Sequence, residues 1–255
     1  MRRILAIARN TFREAIRDRI FHSLFGFAVL VLFGSLVLGY VTVGENARIV
    51  MNVGMASIHL FGVLIAISVG TGLVYKEMAK RTIFTLLAKP LARHQFLIGK
   101  YVGLGLVLAV QLVFMTAVFQ GLFSAVGGWV SLLTYQAVFL IFVELMVITA
   151  VVLLFSTVTS PFTGGILSLL FFVIGHSIGE LQKYTVTYAT HTKSPAWKVA
   201  FAIFPDLERF NLKENALYGL PVSWSFVGQS VAYGALLSAV FVLAATAVFH
   251  RRDFT

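Results

Sequence analysis

Six long apolar segments limit what this chain can fold into. They run over about Phe21–Val43, Ile49–Tyr75, Phe96–Val126, Val130–Phe155, Phe162–Leu181 and Ser223–Phe249. A helix crossing the hydrocarbon core of a bilayer needs about 20 such residues. Inside hydrocarbon, backbone N–H and C=O groups have to be satisfied within the segment, which selects helices for runs of this length. The expected fold is all-α: a single transmembrane domain over residues 1–255 with six membrane-spanning helices. Only "GGW" separates the third and fourth segments, which fits either a tight turn or one long interrupted helix.

Composition narrows the function. The chain is 59% hydrophobic and 12% charged, about half the charged fraction of a typical soluble domain. With no cysteine there is no disulfide framework, thiol chemistry or cysteine metal site. The net charge of +10 is split among separate segments rather than gathered in one stripe, which argues against nucleic acid. No nucleophile–base–orienter set can be read near a span end, so hydrolytic catalysis has no support.

The position of the charges sets orientation. Six Lys and Arg residues precede the first span, six lie between Lys76 and Lys100, and Arg251 and Arg252 follow the last span. The other side receives Arg48 and five within Glu180–Val222. The excess of positive charge places both termini and the Lys76–Lys100 stretch in the cytoplasm; the expected location is the cell (inner) membrane. Residues 1–20 do not form a signal peptide, because the following apolar run is too long and no small-residue cleavage site closes it. They read instead as an amphipathic helix. Ile4, Leu5, Ala8, Phe12, Ala15, Ile16 and Ile20 share one face, and Arg9, Arg13 and Arg17 share the other. Such a helix lies in the membrane interface, its arginines among anionic lipid headgroups.

The segment "KEMAKRTIFTLLAKPLARHQFLIGK" is too long for a tight turn and too charged for the bilayer. Glu77 and Arg81 are four apart, the favourable order for a helical ion pair. Thr82, Ile83, Phe84, Leu86 and Leu87 add a short apolar surface, and Pro90 ends the helix or starts another. Apolar surface rimmed by charge on the water side suggests a protein partner. A plain basic loop that holds topology would account for the charges but not for that surface.

The pattern formed by Glu77, Arg81, Thr82, Leu86, Leu87, Pro90, Arg93, Gly99 and Lys100 resembles the signature of the type-2 family of ABC-transporter permeases. Many members have Gly where this chain has Arg81. The six spans, the basic N-terminal helix, "FPDLERFNLKENALYG" before the last span and the C-terminal "RRDF" also resemble that family, in particular the branch that includes permeases linked to copper-enzyme maturation. The resemblance implies that the 76–93 segment is a coupling helix docking on a separate ATPase subunit through Glu77, Arg81, Thr82, Phe84, Leu86, Leu87, Pro90 and Arg93. It also implies short helices on the outer side in the 180–222 loop and a homodimer moving cargo outward. The other class to weigh is a structural or regulatory membrane subunit that passes ATPase work to another protein without carrying cargo. A stand-alone secondary transporter usually needs several intramembrane ionisable groups, and only one acidic residue lies deep in a span.

The chain itself has no nucleotide site. Its one Gly-Lys pair, Gly99-Lys100, is followed by Tyr101, and His94 stands where the first glycine of a P-loop belongs. No cofactor is expected in this chain; ATP and Mg belong to the partner subunit.

Glu144 is that deep acidic residue. An ionised carboxylate at this depth costs about 2.5–3.5 kcal/mol, so it is expected to be protonated, paired or facing water. It reads either as a pathway or gating contact, or as a structural hydrogen-bonding group with Gln111, Gln120 or Gln229 as candidate partners. His59 and His176 also sit in apolar surroundings. With no cysteine and no regularly spaced acidic partner, the expectation is neutral, hydrogen-bonded histidines and no metal site. Gly99-x3-Gly103 and Gly175-x3-Gly179 permit close helix packing. In the outer loop, Ala196–Phe204 is apolar, and a short helix at about Leu212–Tyr218 is expected, capped by Asn211 and stopped by Gly219. Trp197 and Trp224 fit the headgroup level. This loop, with Pro205, Asp206, Glu208 and Arg209, reads as an outer gate or as a lid that only shields helix ends.

Overall fold

The computed structural model describes residues 2–41, 46–79, 93–188 and 204–251, and they are almost entirely helical. Helix α1 spans Arg2–Ile16, α2 Arg19–Val41, α3 Asn46–Ala79, α4 Arg93–Ala125, α5 Leu132–Val158 and α6 Pro161–Tyr188. A single 3-10 turn at Glu208–Phe210 precedes the short α7, Lys213–Tyr218, and the long α8, Trp224–Arg251. Six of these helices are long and apolar enough to cross a membrane: α2, α3, α4, α5, α6 and α8. Each coincides with one of the apolar segments of the sequence to within a few residues.

"GGW" is a turn. Gly127 adopts φ 77°, a left-handed conformation that costs a residue without Cβ little. Gly127 N and Gly128 N donate to the carbonyls of Ser124 and Phe123, closing α4 before α5 begins.

Helix α5 is the central post. α3 and α8 pack along it, α4 and α6 flank it, and α2 packs along α3. Its side chains from Ala137 to Leu153 are mostly buried, whereas α2 and α8 turn Phe27, Leu30, Leu236, Val240 and Leu243 outward. Apolar faces pointing out of the bundle are what a lipid-facing helix needs.

Helix α1 lies along α4. Ala8, Thr11 and Ala15 are fully buried, and Arg2, Arg9, Arg13 and Arg17 are exposed. The close approach depends on Gly99 and Gly103. A Cβ on Gly103 would lie 2.6 Å from Thr11 Cβ and 2.7 Å from Ala8 O, and one on Gly99 would lie 2.7 Å from Ile7. The seam against α4 is therefore narrower than the apolar face read from sequence, and Leu5 stays 69% exposed.

Lys100 was grouped with the loop charges in the sequence, yet it sits inside α4 and is 1% exposed. Its Nζ lies 3.7 Å from Glu14 Oε2 on α1 and over the Phe96 ring. A buried ammonium needs such a partner, and here the partner ties α1 to the bundle. Of the coupling residues, Glu77 falls in the last turns of α3 and Arg93 opens α4. Arg81, Thr82, Phe84, Leu86, Leu87 and Pro90 lie outside the described residues, as do Trp197 and nearly all of Ala196–Phe204.

Candidate functional site

Three helices converge on Glu144. His59 comes from α3, Glu144 from α5 and His176 from α6. His59 Nε2 is 3.0 Å from Glu144 Oε1, and His176 Nε2 is 3.6 Å from the same oxygen. Glu144 is fully buried and His59 is 4% exposed. The Gln partners expected from sequence are not the ones used. Gln111 points Nε2 at Met115 Sδ, Gln120 accepts from Tyr135, and Gln229 accepts from Arg209.

Close packing makes this meeting possible. One turn along α3 from His59, Gly62 leaves room for Leu145, whose Cδ1 would lie 2.7 Å from a Cβ there. A larger residue at Gly62 would push α3 away from α5 and draw His59 off the carboxylate. Phe172 on α6 sits against both imidazoles, with ring centroids 5.5 Å from His59 and 4.6 Å from His176.

The segment before α8 reaches down onto the cluster. Leu207 N donates to Gly175 O at 3.1 Å, and a Cβ on Gly175 would lie 2.6 Å from the Leu207 side chain. The role of Gly175 is thus to seat this hairpin. From there Glu208 Oε2 lies 3.8 Å from His176 Nε2, while its Oε1 accepts from Asn211 Nδ2 at 2.8 Å. Asp206 N donates to Tyr233 Oη, and Asp206 Oδ1 accepts from Glu208 N. Arg209 reaches Ser230 and Gln229 on α8 and stacks over Phe226 and Tyr233. Pro205 is buried at the start of the hairpin. The four residues read as an outer gate therefore form one packed unit on α6 and α8.

Helix α7 follows. Its N-cap position is Leu212, one residue later than the sequence suggests, although Asn211 Oδ1 still accepts from Lys213 N. Gly219 ends it at φ 66°, as expected of a left-handed helix stop. Burial lowers the Lys213 ammonium below its ordinary value, and the Glu144 and Glu208 carboxylates partly offset this.

A cavity of about 710 Å³ between α2, α3 and α6 opens on this group. His59, His176, Ser177 and Lys213 supply much of its polar lining; Phe27, Leu60 and Phe172 are among its apolar walls. Two smaller clefts beside α5 are lined by apolar and neutral side chains.

His59, Glu144 and His176 each lie near the middle of their helices, and this shared depth was the one signal in the sequence that could have grouped them. Glu208 and Lys213 gave no such signal, because only the folded hairpin brings them down to that level.

No curated protein is similar enough to the chain to count as a match. Residues 5–254 match the family model described as ABC-2 family transporter protein, so the chain belongs to that family and is an integral membrane permease subunit of an ABC transporter.

Proposed function

We propose that this chain is the membrane half of an exporter, working as a homodimer with a separate ATPase subunit that binds ATP and Mg. Both termini and the 80–92 segment face the cytoplasm, and the Phe204–Tyr218 hairpin faces outward. The observation that carries this reading is the ionisable group at mid-span, His59, Glu144 and His176, set beside a cavity and roofed by a hairpin. Intramembrane ionisable residues facing a bundle interior mark transport pathways by default.

The coupling route follows from chain order. The 80–92 segment joins α3 to α4. A motor pressing on it through Glu77, Arg81, Thr82, Phe84, Leu86, Leu87, Pro90 and Arg93 would tilt both helices. α3 carries His59, so that tilt moves the imidazole relative to Glu144. The hairpin residues Pro205, Asp206, Glu208 and Arg209 then act as the outer gate, released from the cluster as α3 shifts.

The test is co-reconstitution with the ATPase in vesicles loaded with cell extract, with mass spectrometry of the released solutes. Glu144→Gln should assemble normally, slow ATP turnover and reduce release. Wild-type turnover and release by this variant would remove Glu144 from the pathway. Vigorous ATP turnover by the wild-type complex without release of any solute would favour the structural, force-transmitting subunit.

A further inference from the structure

We propose that His59, Glu144 and His176, with Glu208 as a fourth donor, form a binding site for a divalent first-row transition-metal ion. Two imidazole nitrogens and a carboxylate oxygen, each from a different helix, lie within 4.8 Å of one another. An ion of zinc's size sits about 2.0–2.2 Å from each ligand, which spaces tetrahedral ligand atoms about 3.3 Å apart. The distances of 3.0 Å and 3.6 Å from Glu144 Oε1 to the two Nε2 atoms bracket that value. Rotamer-scale movement would close the remaining edge.

The hydrogen bonding also points to a missing cation. His176 Nδ1 faces Phe172 O at 3.4 Å. A ring N–H donated to a backbone carbonyl is the usual outer support of a metal-binding histidine, and it leaves the other nitrogen bare. That nitrogen, Nε2, is buried without a hydrogen-bond partner, and so is Glu144 Oε2. Bare Nε2 then faces the carboxylate oxygens of Glu144 at 3.6 Å and Glu208 at 3.8 Å. Three acceptors directed at one point repel unless a proton or a metal ion lies between them. In the metal-bound form, the ion takes the place of the proton between His59 Nε2 and Glu144, and the neutral ring carries that proton on Nδ1 instead.

The donor set selects the ion. Two imidazoles with carboxylates suit zinc, cobalt, nickel or copper(II); an all-oxygen shell would suit magnesium or calcium, and thiolates would suit copper(I). The cavity beside His59 and His176 provides a route in. Because Glu208 belongs to the hairpin, a bound ion would clamp that hairpin to α3, α5 and α6. This site stands apart from the transport reading, since metal affinity is measured on the permease chain without an ATPase.

The experiment uses the full chain in detergent, stripped with chelator and dialysed against zinc alone. The other four histidines, His22, His94, His191 and His250, are replaced by Gln so that they do not hold zinc elsewhere. This background should retain about one zinc per chain. His59→Gln with His176→Gln should lower that at least tenfold, with helicity and monodispersity unchanged. Glu208→Gln should weaken binding several-fold, and Lys213→Gln, which removes a like charge lining the cavity, should strengthen it. Zinc K-edge absorption on the background protein gives a second readout that needs no site variant: it should show two imidazoles around the metal. Zinc content no higher than in a chelated control would overturn the site. So would retention by the double variant, or a spectrum without imidazole scattering; in these cases a proton shared among the three side chains is the occupant.

Discussion

His59 and Glu144 lie 85 positions apart in the chain, yet their side chains are joined by a buried 3.0 Å hydrogen bond between α3 and α5. The imidazole meets a carboxylate oxygen with both side chains buried, so each group answers the cost of burying the other. The partner's chemistry then determines what each can be replaced by.

Glu144→Leu should destabilise more than Glu144→Gln. Leucine leaves the His59 N–H buried without an acceptor, a loss of about 1–3 kcal/mol, whereas glutamine keeps an acceptor at the same reach. Thermal unfolding in detergent reads the difference. Equal melting temperatures for the two variants would show that the hydrogen bond carries no stability.

Gly103→Val should loosen α1 from α4. Its Cβ would meet Thr11 Cβ at 2.6 Å and the Ala8 carbonyl at 2.7 Å, and the second contact is backbone that cannot rotate away. Overpacking of this kind costs about 1–3 kcal/mol. Gly121→Val in the same helix is the control, because nothing lies within 4 Å of a Cβ there. Protease nicking within α1 should rise for the first variant and not for the second.

Lys213 gives a pH dependence with a definite sign. Its folded value lies below the ordinary 10.5, so between the two values the unfolded chain binds more protons than the folded one. Stability therefore rises with pH across that window, and the penalty is complete below it. Lys213→Met should flatten the rise while keeping the alkyl packing. A wild-type melting temperature that falls through this range, with no difference from the variant, would contradict the assignment.

Phe84→Ala should weaken association with the ATPase more than Lys80→Ala or Lys89→Ala. A buried aromatic anchor is typically worth about 2 kcal/mol or more, roughly thirtyfold in affinity, whereas an exposed ion pair is worth about 0–1 kcal/mol. Copurification at two salt concentrations separates the cases. Loss confined to the lysine variants and abolished by salt would mean the contact is electrostatic.

Orientation is open to direct labelling, since the chain has no cysteine of its own. A cysteine placed at Lys193 should react with an impermeant thiol reagent in intact cells, and cysteines at Lys89 or near either terminus should not. The reverse pattern would invert the topology.

The sequence alone determined the helices. Apolar length is a local property that adds up residue by residue, so each span can be read without knowing its neighbours. The stop at Gly219 and the amphipathic face of α1 were legible for the same reason, since each is decided within a few residues; "GGW" fitted a turn or an interrupted helix, and the structure decided for the turn. The seam between Gly99, Gly103 and α1 was only half legible. The small-residue spacing shows that something can approach closely, but not that the occupant is the N-terminal helix.

Only the tertiary structure decided what Glu144 touches. Lipid is as apolar as leucine, so hydrophobic pattern cannot say which helix packs on which or at what rotation. The sequence offered Gln111, Gln120 and Gln229 as candidate partners and gave His59 and His176 no more than an unspecified hydrogen bond. The choice was made by shape: Gly62 admits Leu145 and brings α3 onto α5, and Gly175 admits Leu207 and brings Glu208 down to His176. A hydrogen bond acts over about 3 Å, so it needs depth, rotation and helix spacing to be right together, and those are properties of the packed bundle.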